Sequence, residues 1–456
     1  MTCPNPYPGL RPFYLEDADF FFGRESAIDD LLTRLARTRF LAVIGSSGCG
    51  KSGLIRAGLV PALQSGLLAS AGSRWRVATL RPGRNPMGSL SRAMEDALES
   101  EGRLQETLDR TSLGLIDAVR QARLNSSENV LVIVDQFEEL FRGQSRESRD
   151  EPIAFVRMLL EAASQRESPI YLVIALRSDF LGECAAFRGL AEALNDGLYL
   201  VPEMTRDQLR SAIEEPAQLN RVSWSPLLVH RILNDIYEHP DYLPVFQHAL
   251  RRTWDAWVKA GAEGPIGLQN YESAGGPESL DRHAEEIYAS LDPPQKDHPR
   301  KVFQCLTETG LDRRVSRRPA RMAELTAMTG APIEQVREVV ARFRGAMLLT
   351  PGDLSPESVC DLPHESLMRL WRRLAHWIVE EAEDASIFRR LSETAILHSE
   401  ARASLLHGPE LQAAREWIAL RQPPEAWALR YGGDLRQAIQ FVEASDKPGW
   451  RLFRRT

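Results

Sequence analysis

The chain has 456 residues, 43% apolar and 26% charged, with a formal charge of −7. That length exceeds one compact core and implies roughly two to four domains. The acidic balance argues against a broadly basic nucleic-acid surface, and no apolar run approaches the length of a membrane span. Five scattered cysteines without metal-ligand spacing fit a reducing compartment. Met1 to Pro12 lacks a basic stretch followed by an apolar one. The sequence therefore predicts no signal peptide and a cytoplasmic location.

The first strong element is Phe40–Ile44, an apolar strand, followed by Gly45-Ser46-Ser47-Gly48-Cys49-Gly50-Lys51-Ser52 and then Gly53. A polyphosphate needs several N–H donors aimed at one point. Glycines let the backbone wrap closely with positive φ, and the helix that follows offers free N–H groups and a positive dipole end. Lys51 is placed to reach the β/γ-phosphates and Ser52 to bind Mg²⁺. Cys49 fills a free position, best read as tolerance of a small residue.

Further apolar runs follow at Val77–Leu80, Val130–Val134, Tyr171–Leu176 and Leu198–Val201, with amphipathic stretches such as Gly88–Glu101 and Ile153–Gln165 between them. Nearly continuous apolar strands alternating with helices predict a parallel sheet covered on both faces, an α/β domain over 1–205. The run Val130–Val134 ends in Asp135-Gln136-Phe137-Glu138-Glu139. A carboxylate there sits at the carboxyl edge of the sheet, where Asp135 can hold Mg²⁺. Glu138 or Glu139 is the candidate to orient or deprotonate an attacking water. Polar Gly143–Glu151 predicts an exposed loop. Tyr171–Leu176 ends in Arg177-Ser178-Asp179. In an ATPase with a strand inserted between the two phosphate-binding strands, this run is the inserted one, and Arg177 at its end is either a γ-phosphate sensor or half of a surface pair with Asp179.

Beyond about residue 205 helical spacing takes over, at Arg206–Ile213, Leu227–Tyr237, Leu243–Val258 and Ser279–Leu291. A helical lid is expected over 206–298. From Pro299 the pattern gives a helix, a basic segment with Arg313, Arg314, Arg317, Arg318 and Arg321, the helix Ile333–Gly345, and extended pieces near Met347–Thr350 and Val359–Leu362. A winged helix is expected over 299–384. Its last helix, from near His364, carries Leu367, Leu370, Trp371, Leu374, Trp377 and Ile378 on one face. The basic segment reads as a solvated face or an oligomer contact rather than a DNA surface. A wholly helical arm over 385–456 ends in a basic tail. Trp371, Trp377 and Trp417 read as packing residues.

Several segments together resemble the STAND class of signalling ATPases, in particular the bacterial group often fused to WD-type repeats. They are Asn5-Pro6-Tyr7-Pro8-Gly9-Leu10-Arg11-Pro12-Phe13, Phe21-Phe22-Gly23-Arg24-Glu25, Asp135–Phe141, Arg177–Gly182, Ile213–Ala217, Leu243–Leu250, Tyr271–Gly276 and His364–Trp371. The resemblance runs from about Asn5 to Ser445. It implies that Arg24 lies near an adenine, that Pro216 packs on the base from the lid, and that His364 resembles the histidine that contacts the β-phosphate with ADP bound. Here Pro363 and Glu365 flank that histidine in place of the Met and Asp of the family element. Read from its own position, His364 is equally a satisfied core histidine at a strand-to-helix junction.

The expected function is a nucleotide-gated switch that binds ATP or ADP with Mg²⁺, hydrolyses slowly and thereby controls homo-oligomerisation with unidentified trigger and effector proteins. By resemblance the setting is signalling or bacterial defence. Rival readings are an ADP-bound scaffold without turnover and a fast remodelling ATPase. A small-molecule kinase finds no acceptor-site signature.

Overall fold

Five apolar runs form one parallel sheet: β1 (Phe40–Gly45), β2 (Arg74–Leu80), β3 (Glu128–Val134), β4 (Ile170–Arg177) and β5 (Leu198–Leu200). The computed structural model describes residues 4–100, 104–122, 128–141, 150–236, 242–310 and 315–446. The strands lie in the order β2-β3-β4-β1-β5. Side chains alternate across the sheet. Phe40, Ala42 and Ile44 of β1 enter one core with Val130, Val132 and Val134, whereas Leu41 and Val43 enter the other with Leu131 and Ile133. Two buried faces are why these runs read as continuous rather than alternating.

The sheet order positions the chemistry. The later strand β4 inserts between β1 and β3. Gly45 pairs with Arg177, and Val134 pairs with Ile174. The carboxyl ends of β1, β4 and β3 therefore stand side by side, and the residues that follow them share one edge.

The helix after β1 begins at Lys51, widens into a π turn over Leu54–Leu59, and resumes as Val60–Gln64. Pro61 supplies a physical reason for the wide turn. It has no N–H for the usual bond, and its ring would crowd the carbonyl four residues earlier. Val60 donates instead to the Ile55 carbonyl.

The chain forms two compact units, Met1–Pro277 and Glu278–Thr456. In the first, the helices Arg206–Leu219, Pro226–Ile236, Tyr242–Lys259 and Leu268–Ser273 enclose their own core. The N-terminal segment is tied into it. Tyr7 is fully buried, its hydroxyl donates to the Ile213 carbonyl, and it accepts from Trp224 Nε1 at 2.8 Å. Asn5 donates to the Arg251 carbonyl and to Asp255. Tyr7→Phe would leave the buried indole N–H without its acceptor. The expected cost is about 1–3 kcal/mol, read as a lower denaturant midpoint with an unchanged slope.

The expected lid, 206–298, straddles the division between units. Its helices through Leu268–Ser273 fall in the first, and Ser279–Ala289 falls in the second. There Glu285 accepts from Trp371 Nε1 at 2.7 Å and takes the Arg373 fork at 2.8 and 2.7 Å. These bonds bear on a correction. The helix expected to run unbroken from near His364 is two helices, Ser366–Leu370 and Arg372–Ser399, broken at Trp371 with ψ 99°. The break is held from outside: Asp281 accepts the Arg372 N–H at 2.9 Å. Leu367, Trp371, Leu374, Trp377 and Ile378 are nonetheless buried, and Leu370 is half-buried.

The second unit also holds the helices Asp297–Cys305, Met322–Thr329 and Ile333–Gly345, with antiparallel pairs Thr307–Thr309/Val315–Arg317 and Ala320–Arg321/Val359–Cys360. The described arginines of the basic segment are each paired within the unit. Arg317 pairs with Asp361, Arg318 with Glu324 and Arg321 with Glu357. Arg313 and Arg314, most of the Gly143–Glu151 loop, Tyr237 and the basic tail lie outside the described residues. The arm contains Gly408–Arg421, Glu425–Arg430 and Leu435–Asp446, and Trp417 is buried with its N–H on Asp384 at 2.9 Å. Among the described residues no helix is long and apolar enough to cross a membrane.

Candidate nucleotide site

The loop after β1 turns on two glycines in the left-handed region, Gly48 at φ 76° and Gly50 at φ 92°. A β-carbon on Gly45 would stand 2.5 Å from Cys49 Sγ, so a larger residue there would have to displace the Cys49 side chain. Gly53 is covered by Phe13 and Phe21. Lys51 Nζ spans the loop, donating to the carbonyls of Gly45 at 2.9 Å and Ser46 at 2.7 Å. Arg24 is buried and braces the loop from beneath, donating to the carbonyls of Cys49 at 3.1 Å and Pro202 at 2.8 Å.

Sheet order then brings in the carboxylates. Asp135, 4% exposed, accepts the Ser52 hydroxyl at 2.9 Å on Oδ1, together with the Gln136 N–H at 3.0 Å. Two hard oxygen groups side by side suit Mg²⁺, which keeps waters and substrate oxygens in its shell. Among the described residues no group of three or more His, Cys, Asp or Glu could form an all-protein metal cage. Ser52 and Asp135 are thus the residues that would hold the ion.

The tandem glutamates diverge. Glu138 is 6% exposed and its Oε2 accepts the Arg177 N–H at 3.3 Å, at the junction of β4 and the loop edge. Burial pushes its carboxyl above the usual carboxylate range, while the charges of Lys51 and Arg177 pull the other way. Glu139 turns aside to accept the Gly83 N–H at 3.0 Å. The Arg177 guanidinium pairs with Asp179 at 2.7 Å and lies over the Phe180 ring.

The structure therefore gathers Gly45, Gly48, Cys49, Gly50, Lys51, Ser52, Gly53, Arg24, Asp135, Glu138 and Arg177 along one sheet edge. Pro216 is buried inside the helix Arg206–Leu219 of the same unit. His364 belongs to the second unit, where its Nδ1 meets Ser366 Oγ at 3.0 Å and accepts the Ser366 N–H at 3.1 Å. Sequence reasoning overlooked Arg56, whose Nη2 lies 2.8 Å from Asp135 Oδ2. Its signal was the four-residue spacing from Ser52, which puts both on one helix face.

The profile of the family described as Novel STAND NTPase 1 matches residues 6–404. The chain belongs to that family. The STAND NTPase is also 39% identical, over 71 residues or 15% of its length, to the aliphatic sulfonates import ATP-binding protein SsuB of Yersinia pestis. It spans about a quarter of those curated relatives, 26%. Among solved structures it is similar to the Aeropyrum pernix ORC2 protein in ADPNP–ADP complexes, at 15% identity and TM-score 0.44, covering 79% of this chain and 95% of that one. The Aeropyrum pernix ORC1 protein in complex with DNA gives 15% and 0.43, covering 78% and 93%. Structural likeness of this degree assigns no function to the STAND NTPase.

Proposed function

We propose that this protein is a nucleotide-gated ATPase switch. It binds ATP or ADP with Mg²⁺ on the Gly45–Gly53 loop, hydrolyses ATP slowly, and changes its oligomeric state with the nucleotide held. The observation that carries this reading is the convergence of Ser52, Asp135, Glu138 and Arg177 on one loop-bearing edge. Bound Mg²⁺ would neutralise charge developing on the phosphates. Lys51 and the loop amides bind and orient the phosphates. Glu138, rather than Glu139, orients the attacking water: Glu138 accepts the Arg177 N–H at the loop edge, whereas Glu139 accepts the Gly83 N–H. Arg177 exchanges Asp179 for the γ-phosphate and so distinguishes ATP from ADP.

The domain reading that goes with it is an NTPase domain over 1–205, a lid over 206–298, a winged helix over 299–384 and an arm over 385–456. Arg24 and Pro216 flank the adenine, and His364 senses the ADP-bound state from the winged helix. A ligand shifts such an equilibrium only through its unequal affinity for the two states. The cellular context is signalling or defence, with the trigger and effector unidentified.

Sedimentation velocity of the full chain with ADP, ATP and a slowly hydrolysed ATP analogue tests the switch. A larger species is expected with the analogue than with ADP. Identical sedimentation in all three, with binding verified by calorimetry, removes the switch and favours an ADP-bound scaffold. Fast turnover stimulated by a DNA or protein substrate favours a remodelling ATPase.

A further inference from the structure

Asp135 is nearly sealed from solvent, and an ionised carboxylate in that position requires a counter-charge. Arg56 supplies one. It stands one turn beyond Ser52 on the same helix and contacts Asp135 Oδ2 at 2.8 Å, leaving Oδ1 to Ser52 and Gln136. The two residues that address Asp135 from this helix thus divide its oxygens between them.

The guanidinium is seated rather than loose. Its side chain is 17% exposed, and its carbon centre lies 5.7 Å from the centroid of the Tyr14 ring. Tyr14 belongs to the N-terminal segment, where Arg11 approaches the same ring at 5.6 Å and pairs with Asp17. The seat is incomplete, because the Arg56 Nε is buried without a hydrogen-bond acceptor. An arginine with one donor unmatched is held less firmly than a fully satisfied one.

We propose that Arg56, seated on Tyr14, is the internal counter-ion of Asp135 and competes with the divalent cation for it. The inference rests on the nucleotide site described above. Two cations drawing on one buried carboxylate repel each other and share its lone pairs. Arg56 keeps Asp135 neutralised while the metal is absent and weakens metal uptake until a nucleotide adds its own phosphate charge. Metal affinity is thereby made conditional on nucleotide. A residue that merely positioned Asp135 would have the opposite effect when removed.

The test uses Mn²⁺ as probe, counted by electron paramagnetic resonance on the full chain with and without ADP. Arg56→Gln is expected to bind Mn²⁺ about tenfold more tightly, the scale of one charge-assisted hydrogen bond. Its gain should be larger without ADP than with it. Its Tm should fall in chelator and recover with Mn²⁺. Tyr14→Leu keeps the charge and loosens the seat, so a smaller shift in the same direction is expected. Arg56→Lys should stay near the unmodified chain. Unchanged or weaker Mn²⁺ binding in Arg56→Gln overturns the proposal. If that variant does not fold, unchanged binding in Tyr14→Leu overturns it and tighter binding supports it. An unmodified chain that takes up neither ADP nor Mn²⁺ would instead remove the nucleotide site itself, and this inference with it.

Discussion

Lys51→Ala is expected to weaken ATP and ADP binding by at least about 100-fold, or ~3 kcal/mol, as read by titration calorimetry. The ammonium now bridges the loop's own carbonyls at Gly45 and Ser46, so it sits at the one point where the loop's acceptors and an incoming phosphate compete for a cation. Phosphate wins that competition because a charge-assisted bond to an anion is stronger than one to a neutral carbonyl. The fold should survive, since Gly48 and Gly50 set the turn through their own φ angles and Arg24 holds the Cys49 carbonyl from below. Full-affinity binding by the alanine variant would mean that the loop is not the phosphate site.

Glu138→Gln is expected to lower ATP turnover by about 10²–10⁴-fold while leaving nucleotide affinity within about threefold of the unmodified chain. Glu139→Gln should do far less, because Glu139 accepts the Gly83 N–H while it is Glu138 that accepts the Arg177 N–H. The pH profile separates the base from a structural carboxylate. Burial raises the Glu138 carboxyl above the usual range, so the acid limb of turnover should lie above the ~4.3 of an ordinary glutamate and vanish in the glutamine variant. Stability follows with a definite sign. The folded-state pKa exceeds the unfolded one, so the folded chain holds the proton longer. Ionising Glu138 as pH rises therefore costs stability, in full above the folded pKa, and the cost disappears as pH falls toward the unfolded value. Glu138→Gln should be more stable than the unmodified chain at neutral pH and lose that advantage in acid, measured by thermal unfolding across pH. A variant less stable at neutral pH, with unchanged turnover, would make Glu138 a structural residue.

Much of the nucleotide-binding half was legible because its signals are local. Phe40–Ile44 and Val130–Val134 announce buried strands by continuous aliphatic content, and Gly48 and Gly50 announce positive φ. The helix Ile333–Gly345 appears with the bounds its periodicity predicts. The break at Trp371 was not legible, since the apolar residues from Leu367 to Ile378 keep helical spacing across it. Asp281 and Glu285, some ninety residues upstream, impose it. The tandem glutamates were equally ambiguous. Adjacent side chains on a tight turn diverge, and which one faces the loop depends on β4 presenting the Arg177 N–H.

The sequence by itself determined that a phosphate loop follows a buried strand and that an acidic strand end belongs to the same sheet edge. Composition, spacing and glycine placement act over a few residues, so they can be read along the chain. Only the tertiary structure decided that Glu138 and not Glu139 turns inward, and that Arg56 sits on Asp135. Those outcomes depend on which distant segments pack together, and a one-dimensional pattern carries no record of that.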